Sequence, residues 1–231
     1  MLEQNLVYLI YDMSKITPAK PLMIMLYGFP GSGKTYFARQ LTDHLNAAHV
    51  QDGRIRTELF EQPRYDREEN QVVSHLMDYM TGEFLHAGMT VIYDTNAMRL
   101  TQRRELREVA RKNGAQPLLI WFQIDTESSF ARASKRDRRK SDDKYNPPLD
   151  RPTFERLASG MQNPQNEDYI VISGKHTFQT QLSAFMKRMR ELGLVSSDEA
   201  GSKLIKPGLV NLVPNPAAGR VDMSRRNIVI R

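Results

Sequence analysis

Apolar and polar residues alternate along this chain with two different periods. Continuous apolar runs, typical of strands buried on both faces of a sheet, occur at residues 22–27, 90–93, 118–124 and 169–172, with a shorter run near residues 49–50. Between these runs, apolar residues recur every three or four positions, as Val72, Leu76, Met80 and Phe84 do. The pattern predicts five strands alternating with helices, and therefore an α/β fold whose parallel sheet carries helices on both faces.

Residues that favour helix ends refine this prediction. Thr101 is suited to cap a helix that Asn113 and Gly114 would end, because both of the latter tolerate left-handed backbone. Asp150 is suited to cap a further helix, with Pro152 inside the tolerated first turn.

The pattern also divides the chain into segments. We predict an N-terminal extension over residues 1–21, a domain over 22–194 with a lid at about 131–151, and a basic C-terminal extension over 195–231. Pro207, Pro214 and Pro216 interrupt the last segment. It is interpreted either as an edge hairpin of residues 209–213 with 228–230, or as partly disordered.

Composition narrows the classes of partner and site. The 231 residues include no cysteine, which excludes disulfides and thiolate metal sites. No apolar run is long enough for a signal sequence or a membrane span, so a cytoplasmic protein without membrane contact is expected. The net charge of +6 is concentrated in residues 131–151, with eight basic and four acidic residues, and in residues 202–231, with six basic and one acidic. This distribution favours polyanionic partners.

One motif has a specific chemistry. Residues 28–35, Gly-Phe-Pro-Gly-Ser-Gly-Lys-Thr, match the phosphate-binding loop pattern in full, after a predicted strand and before a predicted helix. Glycines let backbone N–H groups approach phosphate oxygens at a helix N-terminus, the lysine supplies a positive charge, and the threonine hydroxyl can ligate Mg²⁺. The predicted nucleotide-binding residues are Gly28, Gly31, Ser32, Gly33, Lys34 and Thr35.

Two aspartates follow predicted strands at the same sheet edge, where ligands of open parallel sheets bind. Asp94, after the third strand, is a candidate Mg²⁺ ligand with Thr35, and the alternative is an Asx cap of the next turn. Asp52, after the second strand, is a candidate base for the acceptor hydroxyl, and the alternative is a helix N-cap. Arg56, one helical turn after Asp52, is a candidate for holding an anionic part of the acceptor.

Arg132 and Arg136 are four residues apart and are expected to share one helix face. Two arginines aimed at one point would suit phosphoryl transfer, whereas the alternative is a solvated basic face. The five histidines show no ligand spacing and are interpreted as surface or core residues.

Taken together, these motifs resemble the P-loop kinase family that includes phage polynucleotide kinase and the zeta-toxin-like and chloramphenicol phosphotransferase-like small kinases. The resemblance covers about residues 22–190 and is carried by the phosphate loop, by Ile55-Arg56, by Asp94-Thr95-Asn96 with Arg103-Arg104, and by residues 132–136. It implies a sheet of order 2-3-1-4-5, with ATP and Mg²⁺ at Lys34 and Thr35. It further implies Arg132 and Arg136 in the lid, Asp94 near metal and acceptor, Asp52 as base, and Arg56 and Asn96 at the acceptor.

The sequence departs from this family at one position. The family places its base three residues before the arginine of the Ile-Arg pair, where this chain has Gly53, and Asp52 is displaced by one. Three functions therefore stay open: a kinase acting on the 5′-hydroxyl of RNA or DNA, a kinase for a small-molecule hydroxyl, and a nucleotide-binding regulatory protein without transfer.

Overall fold

The computed structural model describes residues 15–96, 98–140 and 143–195, in which strands and helices alternate. The strands are β1 (Leu22–Tyr27), β2 (Ala47–Gln51), β3 (Thr90–Asn96), β4 (Gln116–Gln123) and β5 (Ile170–Ser173). The helices are α1 (Lys34–Leu41), α2 (Asp52–Leu59), α3 (Arg67–His86), α4 (Leu100–Lys112), α5 (Thr126–Ser134), α6 (Arg151–Ser159) and α7 (Phe178–Glu191).

All five strands pair in parallel, in the order β2-β3-β1-β4-β5. The predicted P-loop kinase fold and strand order are confirmed. The chain leaves β1 toward one edge of the sheet, returns through β3 beside β1, and then continues through β4 on the other side. This reversal makes the carboxyl end of β1 a topological switch point, where ligands of such sheets bind.

The central strand β1 separates two hydrophobic cores. Ile24 and Leu26 pack on one side with Phe37 of α1 and Phe185 of α7, while alternate residues such as Met25 face the other core. The second core includes Val73 of α3 and Leu106 of α4. Because side chains alternate across a strand, a run that is apolar at every position needs helices on both faces. The three-layer arrangement follows from that requirement.

Helix starts agree with the prediction at α6 and differ at α4. The Asp150 carboxylate accepts a hydrogen bond from the Thr153 N–H at 3.0 Å, as a helix cap does. The prediction that Thr101 caps α4 is wrong, because the helix already begins at Leu100. The Leu100 N–H donates to the side-chain oxygen of Gln162 at 2.8 Å, so a distant loop replaces the local cap.

The described chain includes residues before the predicted domain start. Ile16 is buried in the first core and bridges to Leu45, and the Ala19 N–H donates to the Leu194 carbonyl at 2.9 Å. Residues 1–14 of the predicted N-terminal extension, and the predicted hairpin of residues 209–213 with 228–230, lie outside the described residues. Among the helices that the structure describes, none has the length and apolar character needed to cross a membrane.

Candidate active site

The phosphate loop connects β1 to α1 at the switch point. Gly31 has φ +85°, and a Cβ there would collide with the Ser129 carbonyl of α5. Gly33 has φ +96° and forms the left-handed N-cap of α1. Both positions require glycine because their backbone is left-handed, and Gly31 requires it also because the Ser129 carbonyl lies so close. The loop is a cradle of the kind that binds phosphate at a helix N-terminus.

Lys34 begins α1 and points back over this loop. Its Nζ donates to the carbonyl oxygens of Gly28 at 2.8 Å and Phe29 at 2.9 Å. Removal of the ammonium group from solvent lowers the pKa of Lys34 to about 8, although nearby Asp94 opposes the shift. The side chain is thus held where additional negative charge would restore its usual pKa.

Thr35 and Asp94 lie together beside the loop. The Thr35 hydroxyl donates to Oδ1 of Asp94 at 3.2 Å, and Asp94 is only 3% exposed. The other carboxylate oxygen, Oδ2, lies 2.9 Å from Nε2 of His49 on β2. An ionised carboxylate only accepts hydrogen bonds, so Nε2 of His49 carries the proton in this contact.

His49 is a site residue that sequence reasoning missed. The histidine spacing predicts only a surface or core residue at this position. In the sheet register, His49 is paired with Ile92 and the Asp94 carboxylate lies two residues further along β3. Only the pairing of β2 with β3 brings the two side chains together, and the sequence contains no local signal for it.

An irregularity in the pairing of β3 accompanies the three consecutive polar residues Asp94, Thr95 and Asn96 that line the site. Tyr93 pairs with Met25 of β1, but the next pair joins Asn96 to Leu26. Asp94 and Thr95 thus have no partner on β1, as in a β-bulge, which re-aims side chains next to a site. Asp94 was expected to end the strand, whereas β3 continues through this irregularity to Asn96. The Asn96 side-chain oxygen accepts from the Gly28 N–H at 3.3 Å and so joins β3 to the phosphate loop.

Asp52 is the first residue of α2, and Gln51 occupies the N-cap position. Its Oδ2 accepts from the Thr95 hydroxyl at 3.0 Å, and its Oδ1 accepts from the Gly53 N–H at 2.5 Å. Burial raises the pKa of the Asp52 carboxyl, the nearby Asp94 charge raises it further, and the two hydrogen bonds oppose the shift. A carboxylate with a raised pKa is a better proton acceptor than one at its ordinary value.

The lid occupies the space beside Gly53. A Cβ on Gly53 would lie 2.7 Å from the carbonyl oxygen of Tyr145. The space at which the resembling family has its base is therefore filled by lid backbone, and the neighbouring Asp52 lines the cavity instead.

Arg56 lines the same cavity but is only 6% exposed. Its guanidinium donates to Glu69 at 3.2 Å and to Asn70 at 2.7 Å, and it lies 4.7 Å from the centre of the Tyr65 ring. Glu69 thus already compensates the charge expected to hold an anionic acceptor.

The two lid arginines differ from the expectation in their placement. Helix α5 ends at Ser134, so Arg136 lies beyond the helix, and the expected shared helix face is wrong. Arg132 donates to the Gly174 carbonyl at 2.7 Å, and Arg136 donates to the Pro147 carbonyl at 3.0 Å. Both nevertheless line the cavity, Arg132 from α5 and Arg136 from the loop that follows it.

These residues surround one open cavity of about 1080 Å³. Its lining includes the phosphate loop after the central strand β1, Asp52 and Arg56 of α2 after the edge strand β2, and the start of α7 after the opposite edge strand β5. Among the described residues, no group of three or more histidine and acidic side chains could hold a metal alone. A Thr35–Asp94 pair beside a phosphate cradle fits Mg²⁺, which usually binds through one or two protein ligands plus phosphates and water.

Comparison with known proteins gives the same fold. A family described as an AAA domain matches residues 23–163. No curated protein matches the sequence significantly.

Three solved structures illustrate the likeness. Kti12 of Chaetomium thermophilum in complex with ADP-AlF3 is 17% identical with a TM-score of 0.57, covering 75% of this chain and 99% of that one. A gluconokinase of Sinorhizobium meliloti 1021 is 13% identical with a TM-score of 0.54, covering 74% and 93%. One chain in the structure of the Pnkp1/Rnl/Hen1 RNA repair complex is 19% identical with a TM-score of 0.52, and the match covers 61% of this chain and 44% of that one. At these identities the likeness is one of fold.

Proposed function

The chain belongs to the family described as an AAA domain, and on that premise we propose that it is an ATP-dependent phosphotransferase with a hydroxyl acceptor. One observation carries the proposal. The Thr35 hydroxyl donates to Asp94 beside the phosphate loop, and the hydroxyl of Thr95, the next residue of β3, donates to Asp52. A candidate metal site and a candidate base therefore face the same cavity.

Each part of this series has a distinct proposed role. ATP would supply the transferable γ-phosphate, and Mg²⁺ would neutralise charge on it. The loop N–H groups and Lys34 bind phosphate oxygens, while Thr35 and Asp94 hold the metal. Arg132 and Arg136 add positive charge from the lid, where charge develops during transfer.

Asp52 is proposed to accept the proton of the acceptor hydroxyl. Its carboxylate is oriented by Thr95 and by the Gly53 N–H, which leaves the remaining lone pairs available to the cavity. Its raised pKa suits a base, since proton transfer is most effective when the pKa approaches the working pH.

The proposed acceptor is the 5′-hydroxyl of a polynucleotide. Asn96 lies on the cavity wall near Asp94, the lid adds the exposed Lys135 to the cavity lining, and it carries the exposed Arg138 and Arg139 elsewhere on its surface. Exposed Tyr65 offers an aromatic surface at the same end. An RNA repair complex containing a protein of this fold is consistent with that acceptor.

A small-molecule acceptor is the second candidate, and the ion pair between Arg56 and Glu69 favours it. Because Glu69 compensates Arg56, this end of the cavity would also accept an uncharged alcohol. The gluconokinase of similar fold is consistent with that alternative.

Radioactive transfer from γ-labelled ATP separates these functions. We expect label on single-stranded RNA or DNA with a 5′-hydroxyl and none on the matched 5′-phosphorylated oligonucleotide. Asp52→Asn should lower turnover by about 10²–10⁴ with ADP binding retained, whereas Asp43→Asn, at an exposed site outside the cavity, should not. Label on sugars or nucleosides alone would indicate the second candidate. Nucleotide binding without any transfer would contradict both.

A further inference from the structure

The Asp94 carboxylate has a separate partner at each of its oxygens. Oδ1 accepts from the Thr35 hydroxyl at 3.2 Å, and Oδ2 lies 2.9 Å from Nε2 of His49. The side chains of His49 and Asp94 are 19% and 3% exposed. Burying a charged group is unfavourable unless it is hydrogen-bonded, so the orientation of this carboxylate depends on its protein partners rather than on water.

The backbone around Asp94 is held on one side and released on the other. Pairing of β2 with β3 is regular along all five residues of β2 and ends at the pair of Gln51 and Asp94. On the other side, the register with β1 shifts after Met25, and Asp94 has no partner on that strand. Because a β-bulge re-aims side chains, a contact from β2 is what can hold this carboxylate in one orientation. His49 provides that contact.

The two partners of Asp94 differ in their relation to the cavity. Thr35 and Asp94 line it, whereas His49 does not. His49 lies on the edge strand β2 and reaches the site through its hydrogen bond to the Asp94 carboxylate. Carboxylates that bind metals are commonly hydrogen-bonded by an outer residue, which fixes their orientation. The arrangement of Thr35, Asp94 and His49 has this form.

We propose that His49 is a positioning residue, whose Nε2–H holds Oδ2 of Asp94 so that Oδ1 stays beside the Thr35 hydroxyl, where the pair would bind Mg²⁺. The inference rests on the proposed function, because it assumes a nucleotide and Mg²⁺ at the phosphate loop. Loss of the contact would leave a buried oxygen without its donor, and the carboxylate would turn away from its present orientation. Removal of such an outer partner typically weakens metal binding by about 10- to 100-fold.

The Mg²⁺ dependence of ADP binding tests the proposal without any transfer step. Wild-type protein should bind ADP more tightly in Mg²⁺ than in EDTA. In His49→Leu we expect the Mg²⁺ concentration that gives half of this increase to rise by about 10- to 100-fold, with the Kd for ADP in EDTA unchanged. His49→Gln should keep most of the wild-type dependence, because its side-chain amide is also an N–H donor. A role limited to packing on β2 would not separate these two variants.

The matched control is His86→Leu, at an exposed histidine of α3, which should leave the Mg²⁺ dependence unchanged. His49→Val, which suits a strand, is a second variant in case the leucine variant does not fold. An unchanged Mg²⁺ dependence in the folded leucine or valine variant would overturn the inference. Equal losses in the leucine and glutamine variants, or a wild type whose ADP affinity does not respond to Mg²⁺, would overturn it as well. Failure of the wild type to bind ADP would instead overturn the proposed function and this inference with it.

Discussion

The lowered pKa of Lys34 predicts how nucleotide affinity depends on pH. In the described structure the ammonium group is surrounded by the loop carbonyls of Gly28 and Phe29, and burial lowers its pKa from 10.5 to about 8. Phosphate oxygens in the loop would favour the charged form and return the pKa toward its ordinary value. Nucleotide binding is therefore expected to take up a proton wherever free Lys34 has lost one.

The size of the effect follows from the shift. A change from 10.5 to about 8 corresponds to about 3 kcal/mol between the two protonation states. With that pKa, about 10% of Lys34 is neutral at pH 7 and about 90% at pH 9. Because the complex holds the proton more strongly, affinity is full below pH 7 and falls above pH 8. The Kd for ADP should rise by about tenfold between pH 7 and pH 9.

Calorimetry in pairs of buffers with different ionisation enthalpies measures both quantities. We expect close to one proton taken up per ADP bound at pH 9. The phosphates themselves contribute little at that pH, because their second pKa is near 6. Lys175→Met, at an exposed lysine paired with Asp125, should leave the profile unchanged. A constant Kd from pH 7 to pH 9 without proton uptake would refute the reasoning.

Two further substitutions test the lid and the core. Gly53→Asp, which restores the carboxylate of the resembling family, should lower turnover by about 10²-fold rather than raise it, because its Cβ would displace the Tyr145 carbonyl; steady-state kinetics showing a gain would contradict this. Arg103 is fully buried and paired with Glu167 at 2.8 Å. Arg103→Met should therefore lower the free energy of unfolding by about 3–5 kcal/mol, because it leaves the Glu167 charge without its partner. Arg111→Met, which breaks an exposed pair, should change it by less than about 1 kcal/mol, and equal effects of the two in urea denaturation would contradict the assignment.

Local patterns determined most of the fold. Strand β1 is apolar at six consecutive positions and is followed by glycines that the loop requires, so its burial within a parallel sheet could be predicted. The phosphate loop, Lys34 and Thr35 are contiguous in the chain, and their geometry is set by one strand, one turn and one helix. The strand order came from resemblance to a family, because strand alternation alone does not specify which strands are neighbours.

Helix ends were predicted less accurately, because tertiary contacts replace local signals there. Gln162 binds the Leu100 N–H and starts α4 before the threonine that was expected to cap it. Helix α5 ends at Ser134 although the basic sequence continues, and Arg136 lies in the loop that follows. A spacing of four residues predicts a shared face only where the helix continues.

Residue type and spacing were enough to identify an α/β protein with a phosphate loop and two aspartates that follow its strands. The contacts of His49 with Asp94 and of Thr95 with Asp52 follow instead from the tertiary structure. Each of these depends on strand register or on packing between residues distant in the chain. Residue type and spacing contain no information about such pairings, because they form only when the whole sheet brings its strand ends together.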